Sequence, residues 1–475
     1  MGFKRTFFRN VMISGGYNYV SQIIVFLSSF ITARLLLPEN YGLVGLITVF
    51  TNFISVFSDS GISLAVIKSD YKFSYYKGLD GVAFLTGVLL FLITSCLAWP
   101  ITKFYGNDDL LWPAIVLSLT FVTRSMSIVR SALISKDLNF EIIGRITLFN
   151  TIISILLTII LAYNGAEHWA IIIPQLVASI LSIFYLENYA KFGFRIYSKK
   201  YMCVAYKYTK TSIKNVLGFN LVNYWSRNAD NLIVGKVYGM ADLGIYNRAY
   251  SLLILPLSLV TGLMGTVLYP SLKKLKGDGG DINSEYLFVL KLISIIVYPV
   301  AFVFILFPSQ LVLLLWGENW TAVGDILPYF GILIFGQSLL STTGNILVLM
   351  DMEKRLMISG WIGAFFTVAG ICFGALFSIE GIAQFYSLSF LLFVLPFNIY
   401  YIFHKSLHFN LRSIIIFWIP LVVFSILLWL SCYFNSLLFK YIFLAAMLLN
   451  IVYNNKDELG NLILALKKKR HSLKS

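Results

Sequence analysis

Charge is scarce in this sequence. Only 12% of its 475 residues are Asp, Glu, Lys or Arg, about half the share usual for a soluble domain. Histidine occurs four times and cysteine four times. Cys96, Cys203, Cys372 and Cys432 form no CxxC pair, which argues against a disulfide framework or a thiolate zinc site. His404 and His408 are four residues apart but lack a third ligand, so a metal is not expected there. No Walker motif precedes a helix and no Ser/His/Asp grouping suggests hydrolysis, so no enzyme, ATPase or cofactor chemistry is expected. No stretch is long enough for a soluble domain; the longest loop expected runs over 191–211.

What the sequence does contain is apolar. Hydrophobic residues make up 58% and the mean hydropathy is +0.81. Runs such as Ile152–Leu161 and Leu421–Leu430 are continuous rather than alternating, which favours membrane helices over barrel strands. The breaks between runs are turn-like or charged, as at Pro38-Glu39-Asn40 and Gly106-Asn107-Asp108-Asp109. The reading is an all-α polytopic membrane protein of about fourteen helices: 11–36, 41–66, 80–103, 110–135, 142–163, 168–190, 212–237, 241–268, 285–307, 325–350, 356–378, 381–403, 411–433 and 436–454. The first serves as an uncleaved start-transfer helix.

The charge balance is +15, and its distribution assigns it to topology rather than to nucleic acid. Lys and Arg gather at Lys4, Arg5 and Arg9, at Lys191 to Lys214, at Lys273, Lys274 and Lys276, and at Lys467 to Arg470. All of these fall on one side if the N-terminus is cytoplasmic, and the basic C-terminal tail then lies inside too.

A weak internal repeat relates span 1 to span 7 at an offset of 202. Gly16, Asn18 and Val20 fall on Gly218, Asn220 and Val222, Arg34 on Lys236, and Gly42 on Gly244. Both spans leave the cytoplasm, so the halves are parallel. That is a plan known among transporters, with substrate bound between the halves. The expected division is a six-helix lobe at 1–190, a basic connector at 191–211, a second six-helix lobe at 212–405, and an extra helix pair with a basic tail at 406–475.

Polar groups inside the spans are the candidates for function, because charge at membrane depth usually faces a cavity or a partner. Asn220, Asn223, Tyr224, Arg227, Asp230 and Asn231 share one face of span 7, and span 1 carries the related stripe Ser14, Asn18, Ser21, Gln22, Ser28, Ser29 and Thr32. Arg227 and Asp230 are three apart and can form a structural ion pair, or Arg227 can meet an anionic substrate while Asp230 orients it. Arg124 lies mid-span in span 4, where a cavity role fits. Arg130 is nearer the cytoplasm and could snorkel to the interface. Arg248 lies in the outer part of span 8. Asp59, in span 2, is a candidate for carrying protons or pairing with an arginine, against a plain interfacial carboxylate. Gln337, Ser341 and Asn345 read as polar packing between helices.

Four segments of the C-terminal half stand out: Tyr224-Trp225-Ser226-Arg227-Asn228-Ala229-Asp230-Asn231, Leu243-Gly244-Ile245-Tyr246-Asn247-Arg248-Ala249-Tyr250, Leu268-Tyr269-Pro270-Ser271-Leu272 and Ser341-Thr342-Thr343-Gly344-Asn345. The N-terminal half adds Leu36-Leu37-Pro38-Glu39-Asn40-Tyr41-Gly42 and Asp59-Ser60-Gly61. They carry a resemblance to the oligosaccharide flippases of the MOP superfamily (multidrug/oligosaccharidyl-lipid/polysaccharide exporters), nearest to the colanic acid and teichuronic acid exporter branch. It implies two lobes around a cationic cavity in a bacterial inner or plasma membrane. By alternating access these would carry undecaprenyl-diphosphate-linked oligosaccharide to the outer leaflet, with a proton or sodium as possible coupling cation. Substrate and membrane lipids are then the expected partners. Spans 9–14 carry few charges, so the cationic surface depends mainly on Arg124, Arg227 and Arg248. Alternatives are a multidrug or cation exporter of the same superfamily, which should favour acidic cavity groups, and a polytopic polysaccharide polymerase or glycosyltransferase, which would need a large catalytic loop or paired acids.

Overall fold

The computed structural model describes residues 3–59, 62–68, 73–137, 139–190, 199–207, 228, 230–277 and 280–456. Among these there is no strand. The helices are α1 (Phe3–Leu35), α2 (Pro38–Asp59), α3 (Ile62–Lys68), α4 (Phe73–Tyr105), α5 (Leu111–Lys136), α6 (Phe140–Tyr163), α7 (Trp169–Ala190), α8 (199–207), α9 (230–237), α10 (Met240–Gly277), α11 (Ile282–Leu306) and α12 (Pro308–Trp316). They continue with α13 (Val323–Leu340), α14 (Thr343–Leu349), α15 (Glu353–Gly374), α16 (Ile379–His404), α17 (Leu411–Tyr433) and α18 (Leu437–Asn454).

Ten stretches of the described chain are helices long and apolar enough to cross a membrane. The helices α1, α2 and α10 match them in length, at 33, 22 and 38 residues. Expected span 2, over 41–66, is covered by α2 up to Asp59 and by α3 from Ile62, with residues 60 and 61 outside the described residues. The expected tenth span, 325–350, is likewise divided, between α13 and α14, at Ser341 and Thr342. Most of the expected seventh span lies outside the described residues.

Local chemistry explains where helices start. Pro38 and Pro308 open α2 and α12, positions where a missing N–H costs nothing. Asp281 caps α11 by accepting the N–H groups of Asn283 and Ser284. Ser378 and Asn410 cap α16 and α17 in the same way. These bonds hold the Asp281 carboxyl below its ordinary range, the Ser284 hydroxyl contributing most. Proline also sits inside α4, α7, α11, α13 and α17, which membrane helices accommodate because neighbours satisfy the freed carbonyls. Towards its C-terminal end α16 widens into π-helical turns at Phe390–Val394 and Ile399–His404. There Asn398 donates to the Val394 carbonyl and accepts from Ser359 of α15 at 2.5 Å.

The chain divides into two compact units, 1–247 with 315–319, and 248–314 with 320–475. In the first unit α4 packs along α5, α5 along α7, and α1 along α6. Ile62, Leu79, Ala83, Val129, Ala132 and Ala205 form one of its buried clusters, which fastens α3 and α8 to the α4–α5 pair. The segment 315–319 docks on α1, where the Trp316 indole donates to the Ser29 hydroxyl at 3.2 Å. In the second unit α13 is buried along almost its whole length, from Val323 to Leu339, against α11, α16 and α17. Gln337 donates to the Tyr386 hydroxyl at 2.8 Å, the interhelical bond expected of that position, whereas the Ser341 hydroxyl bonds back to its own helix.

One contact within the first unit bears on the repeat. A Cβ on Gly42 would run into the Met240 carbonyl, and a Cβ on Gly244 would run into the Pro38 carbonyl. At the offset of 202, Pro38 corresponds to Met240 and Gly42 to Gly244. The start of α2 and the start of α10 thus meet backbone to backbone through reciprocal, register-related contacts, the pattern a two-fold relation produces. Gly239, with φ +89°, supplies the left-handed turn that brings α10 into this position.

Candidate functional site

Three helices of the first unit, α5, α6 and α7, present polar side chains toward one another at membrane depth. On α5 these are Arg124, Ser127 and Ser131, on α6 Thr147, Asn150, Thr151 and Ser154, and on α7 Gln175, Ser179 and Ser182. None is close to another in sequence across helices. They converge because each helix turns its polar stripe away from lipid. The result is a groove of about 640 Å³, closed on one side by Val25 of α1 and by Ser63 of α3.

The walls are braced by their own hydrogen bonds. Asn150 donates to the Ser182 hydroxyl at 2.6 Å, and the Thr123 and Ser179 hydroxyls lie 2.7 Å apart. The carbonyl oxygen of the Asn150 amide is buried and without a hydrogen-bond partner. Among the described residues that line the groove, Arg124 carries the charge. It stands near the middle of the span Asp108–Lys136, exposed and lining the groove. A planar cation surrounded by hydroxyl and amide groups suits an anion bearing oxygen atoms, because guanidinium binds two such oxygens at once.

The other expected site residues fall differently. Asn18 is exposed on α1 and does not line this groove. Asp230 is 5% exposed; its carboxylate accepts the Asn231 backbone N–H at 2.8 Å and the Tyr246 hydroxyl at 3.1 Å. Its expected partner Arg227 lies outside the described residues, as do Asn220 and Asn223. Asp59 ends α2, and its side chain is likewise outside them. Arg248 belongs to the second unit, where its guanidinium carbon lies 5.2 Å from the centroid of the Trp320 ring. That is a cation–π geometry.

Arg130 departs from its expected snorkelling. It is fully buried, 2.9 Å from Asp80 Oδ1 and 3.5 Å from Glu187 Oε1, so opposite charge holds it inside instead of an interface drawing it out. Sequence reading passed over both acids. Asp80 was placed at the start of a span that α4 begins seven residues earlier, at Phe73, and Glu187 near the end of the sixth. The signal available was two acids and a basic residue at one end of three spans: Asp80 near the start of α4, and Arg130 and Glu187 near the ends of α5 and α7.

Comparison with known proteins agrees with this architecture. The polysaccharide biosynthesis protein family matches residues 31–325. The teichuronic acid biosynthesis protein TuaB of Bacillus subtilis (strain 168) is 24% identical over 307 residues, which cover 63% of this chain and 62% of the relative. The lipopolysaccharide biosynthesis protein WzxC of Escherichia coli (strain K12) is 24% identical over 66% of this chain and 63% of its own length. The chain thus spans somewhat less than two thirds of these curated relatives. The lipid II flippase MurJ in an inward closed conformation shares the fold with a TM-score of 0.70 at 15% identity, over 94% of this chain and all of that one. A multidrug resistance MATE family transporter of the MOP superfamily aligns at 0.55 and 12% identity, over 88% of this chain and 96% of that one. With a family match over more than half its length and a fold shared with MurJ, the chain is a multi-pass membrane protein that belongs to the polysaccharide biosynthesis protein family.

Proposed function

We propose that this protein is a flippase that moves an undecaprenyl-diphosphate-linked oligosaccharide from the cytoplasmic to the outer leaflet by alternating access, for polysaccharide export. The observation that carries this reading is the hydroxyl-rich groove with Arg124 at mid-membrane. A diphosphate cannot cross ~30 Å of hydrocarbon as an unpaired anion. It needs fixed cations at depth, and arginine keeps its charge there. The serine, threonine and amide groups around Arg124 offer hydrogen bonds of the kind a sugar takes. The relatives' names, TuaB and WzxC among polysaccharide biosynthesis proteins and MurJ among flippases, support the same substrate class. Arg227 and Arg248 are proposed as further cations for the substrate, and Asn18, Asn220 and Asn223 as the lining of its hydrated path. Asp59 and Asp230 remain candidates for coupling or for charge pairing, and the two lobes are proposed at 1–190 and 212–405. A multidrug exporter of the same fold would favour acidic groups around cationic drugs, and the charge in this groove has the opposite sign.

The test is export at matched protein levels. Losing one charge-assisted interaction costs about 1.5–3 kcal/mol. Arg124→Lys should therefore lower glycan export about tenfold and Arg124→Ala about a hundredfold, with lipid-linked glycan accumulating inside. Wild-type export by the alanine variant would refute the assignment of Arg124.

A further inference from the structure

The groove around Arg124 presents hydrogen bonds of one polarity. A hydroxyl has a single proton, and four hydroxyls that line the groove spend theirs on a backbone carbonyl of their own helix. Ser127 donates to the Thr123 carbonyl at 3.2 Å, Thr147 to that of Ile143 at 2.9 Å, Thr151 to that of Thr147 at 2.8 Å and Ser182 to that of Ala178 at 2.9 Å. What they hold out to a ligand is oxygen lone pairs. A ligand that took one of these protons would have to break a bond already made, and would gain little by it.

The orientation of the Asn150 amide follows from Ser182. Because the Ser182 proton goes to Ala178, the Ser182 oxygen accepts, and it is the amide nitrogen of Asn150 that donates to it. The carbonyl oxygen is the end left over, buried and without a hydrogen-bond partner. A buried acceptor in that state gains from any donor that reaches it. Thr147, Asn150 and Thr151 follow one another at the i, i+3 and i+4 spacing of a single helix face. Ser127 lies one turn from Arg124 on α5, and Ser182 ties α7 to Asn150. Arg124 is the opposite in kind, since a guanidinium donates and cannot accept.

A donor head therefore stands beside an acceptor wall. Ionised phosphate oxygens accept and cannot donate, so their place is at Arg124 and not on the wall. An ammonium donates, but the guanidinium repels it. A sugar hydroxyl or acetamido N–H donates and carries no charge. We propose that Thr147, Asn150 and Thr151, with Ser127 and Ser182, form a subsite for a sugar lying beside the phosphate, and select it by the protons it can give. That the donors belong to a glycan rests on the flippase reading; the acceptor polarity of the wall does not. Replacing a sugar hydroxyl by a group without a proton leaves an acceptor of the wall unanswered, and such sugars are rejected.

The test measures binding to the full chain in lipid nanodiscs. The probes are farnesyl diphosphate, its glucosyl, galactosyl and N-acetylglucosaminyl derivatives, and deoxyfluoro forms of these sugars, in which fluorine replaces hydroxyl and donates nothing. At least one sugar probe should bind about tenfold or more tightly than farnesyl diphosphate, and its deoxyfluoro form should lose that advantage. Thr147→Val with Thr151→Val keeps the side-chain shape but removes two acceptors, so the sugar advantage should fall about tenfold. Thr147→Ser with Thr151→Ser keeps both oxygens and should retain it. Equal binding of the sugar and deoxyfluoro probes overturns the proposal, as does failure of every sugar probe to outbind farnesyl diphosphate. A wild-type advantage in the valine variant, or its loss in the serine variant, which would mark an effect of packing, overturns it as well. The probe contrasts on the wild-type protein decide the matter even if a variant does not fold. Movement of the tightest-binding probe across proteoliposome membranes tests the flippase reading separately. No movement, with the binding contrasts intact, ends that reading and leaves the acceptor wall standing.

Discussion

At the scale of single residues, the two arginines of α5 show how little sequence distance says about partnership. Arg124 was legible as a mid-span cation because nothing of opposite charge stands within a turn of it, and the structure gives it a groove. Arg130, six residues on, has the same local surroundings, and its partners lie 50 and 57 residues away on other helices. The same holds for Asp230: Arg227 is the obvious neighbour in sequence, yet the described partner is Tyr246, on the next helix. Which polar groups are buried could be read from hydropathy, but which groups they meet depends on helix packing. The buried cluster also predicts a large effect on stability. Arg130→Ala leaves Asp80 buried without its cation, and about 3–5 kcal/mol of stability should be lost. Thermal unfolding in detergent would register this as a lower midpoint than for Glu187→Ala, which removes a partly exposed acid. Equal midpoints for the two variants would contradict the burial difference.

At the scale of elements, spans were legible wherever the apolar run was unbroken, as for α6, α11 and α17, because twenty apolar residues fix a helix almost regardless of context. They were less legible where breaks intervene, and α13 with α14, divided at Ser341 and Thr342, is the instance. The cap at Asp281 is not legible in sequence, since an aspartate after glycines gives no sign of which amides it will accept. It predicts a pH effect. The Asp281 carboxyl is held below its ordinary value by Ser284 and by the amides of Asn283 and Ser284, so its stabilisation is present above the unfolded carboxylate value of about 3.9. It is lost as pH falls through the lower, folded value. Hydrogen exchange at the Asn283 and Ser284 amides should therefore accelerate in acid beyond its intrinsic pH dependence, and Asp281→Ala should abolish that acid-dependent excess. At the start of α2 and α10, Gly42→Ala and Gly244→Ala should each force the crossing apart, because the obstruction is backbone that cannot rotate away. A cysteine pair across the crossing, at Asn40 and Asp242, should crosslink more slowly in either variant. Unchanged crosslinking would show that the two segments do not touch.

At the scale of the whole molecule, composition and charge placement gave the class: a chain this apolar folds as membrane helices, and the family match and shared fold with MurJ agree. The orientation proposed from the positive-inside pattern places both termini in the cytoplasm. Reporter fusions at Lys4 and Lys474 should both report that side, and an external C-terminus would make the number of crossings odd. The repeat was faint in sequence because only a few positions still match, but the reciprocal contact of Gly42 and Gly244 gives those few matches a physical reason. Each glycine abuts the backbone that lies beside the other, so a side chain at Gly42 obstructs the Met240 carbonyl and one at Gly244 obstructs the Pro38 carbonyl. Neither obstruction can be relieved by rotating a side chain. The crossing therefore accepts change at either glycine only when a second change moves the opposing segment, and two positions 202 residues apart are held to vary together.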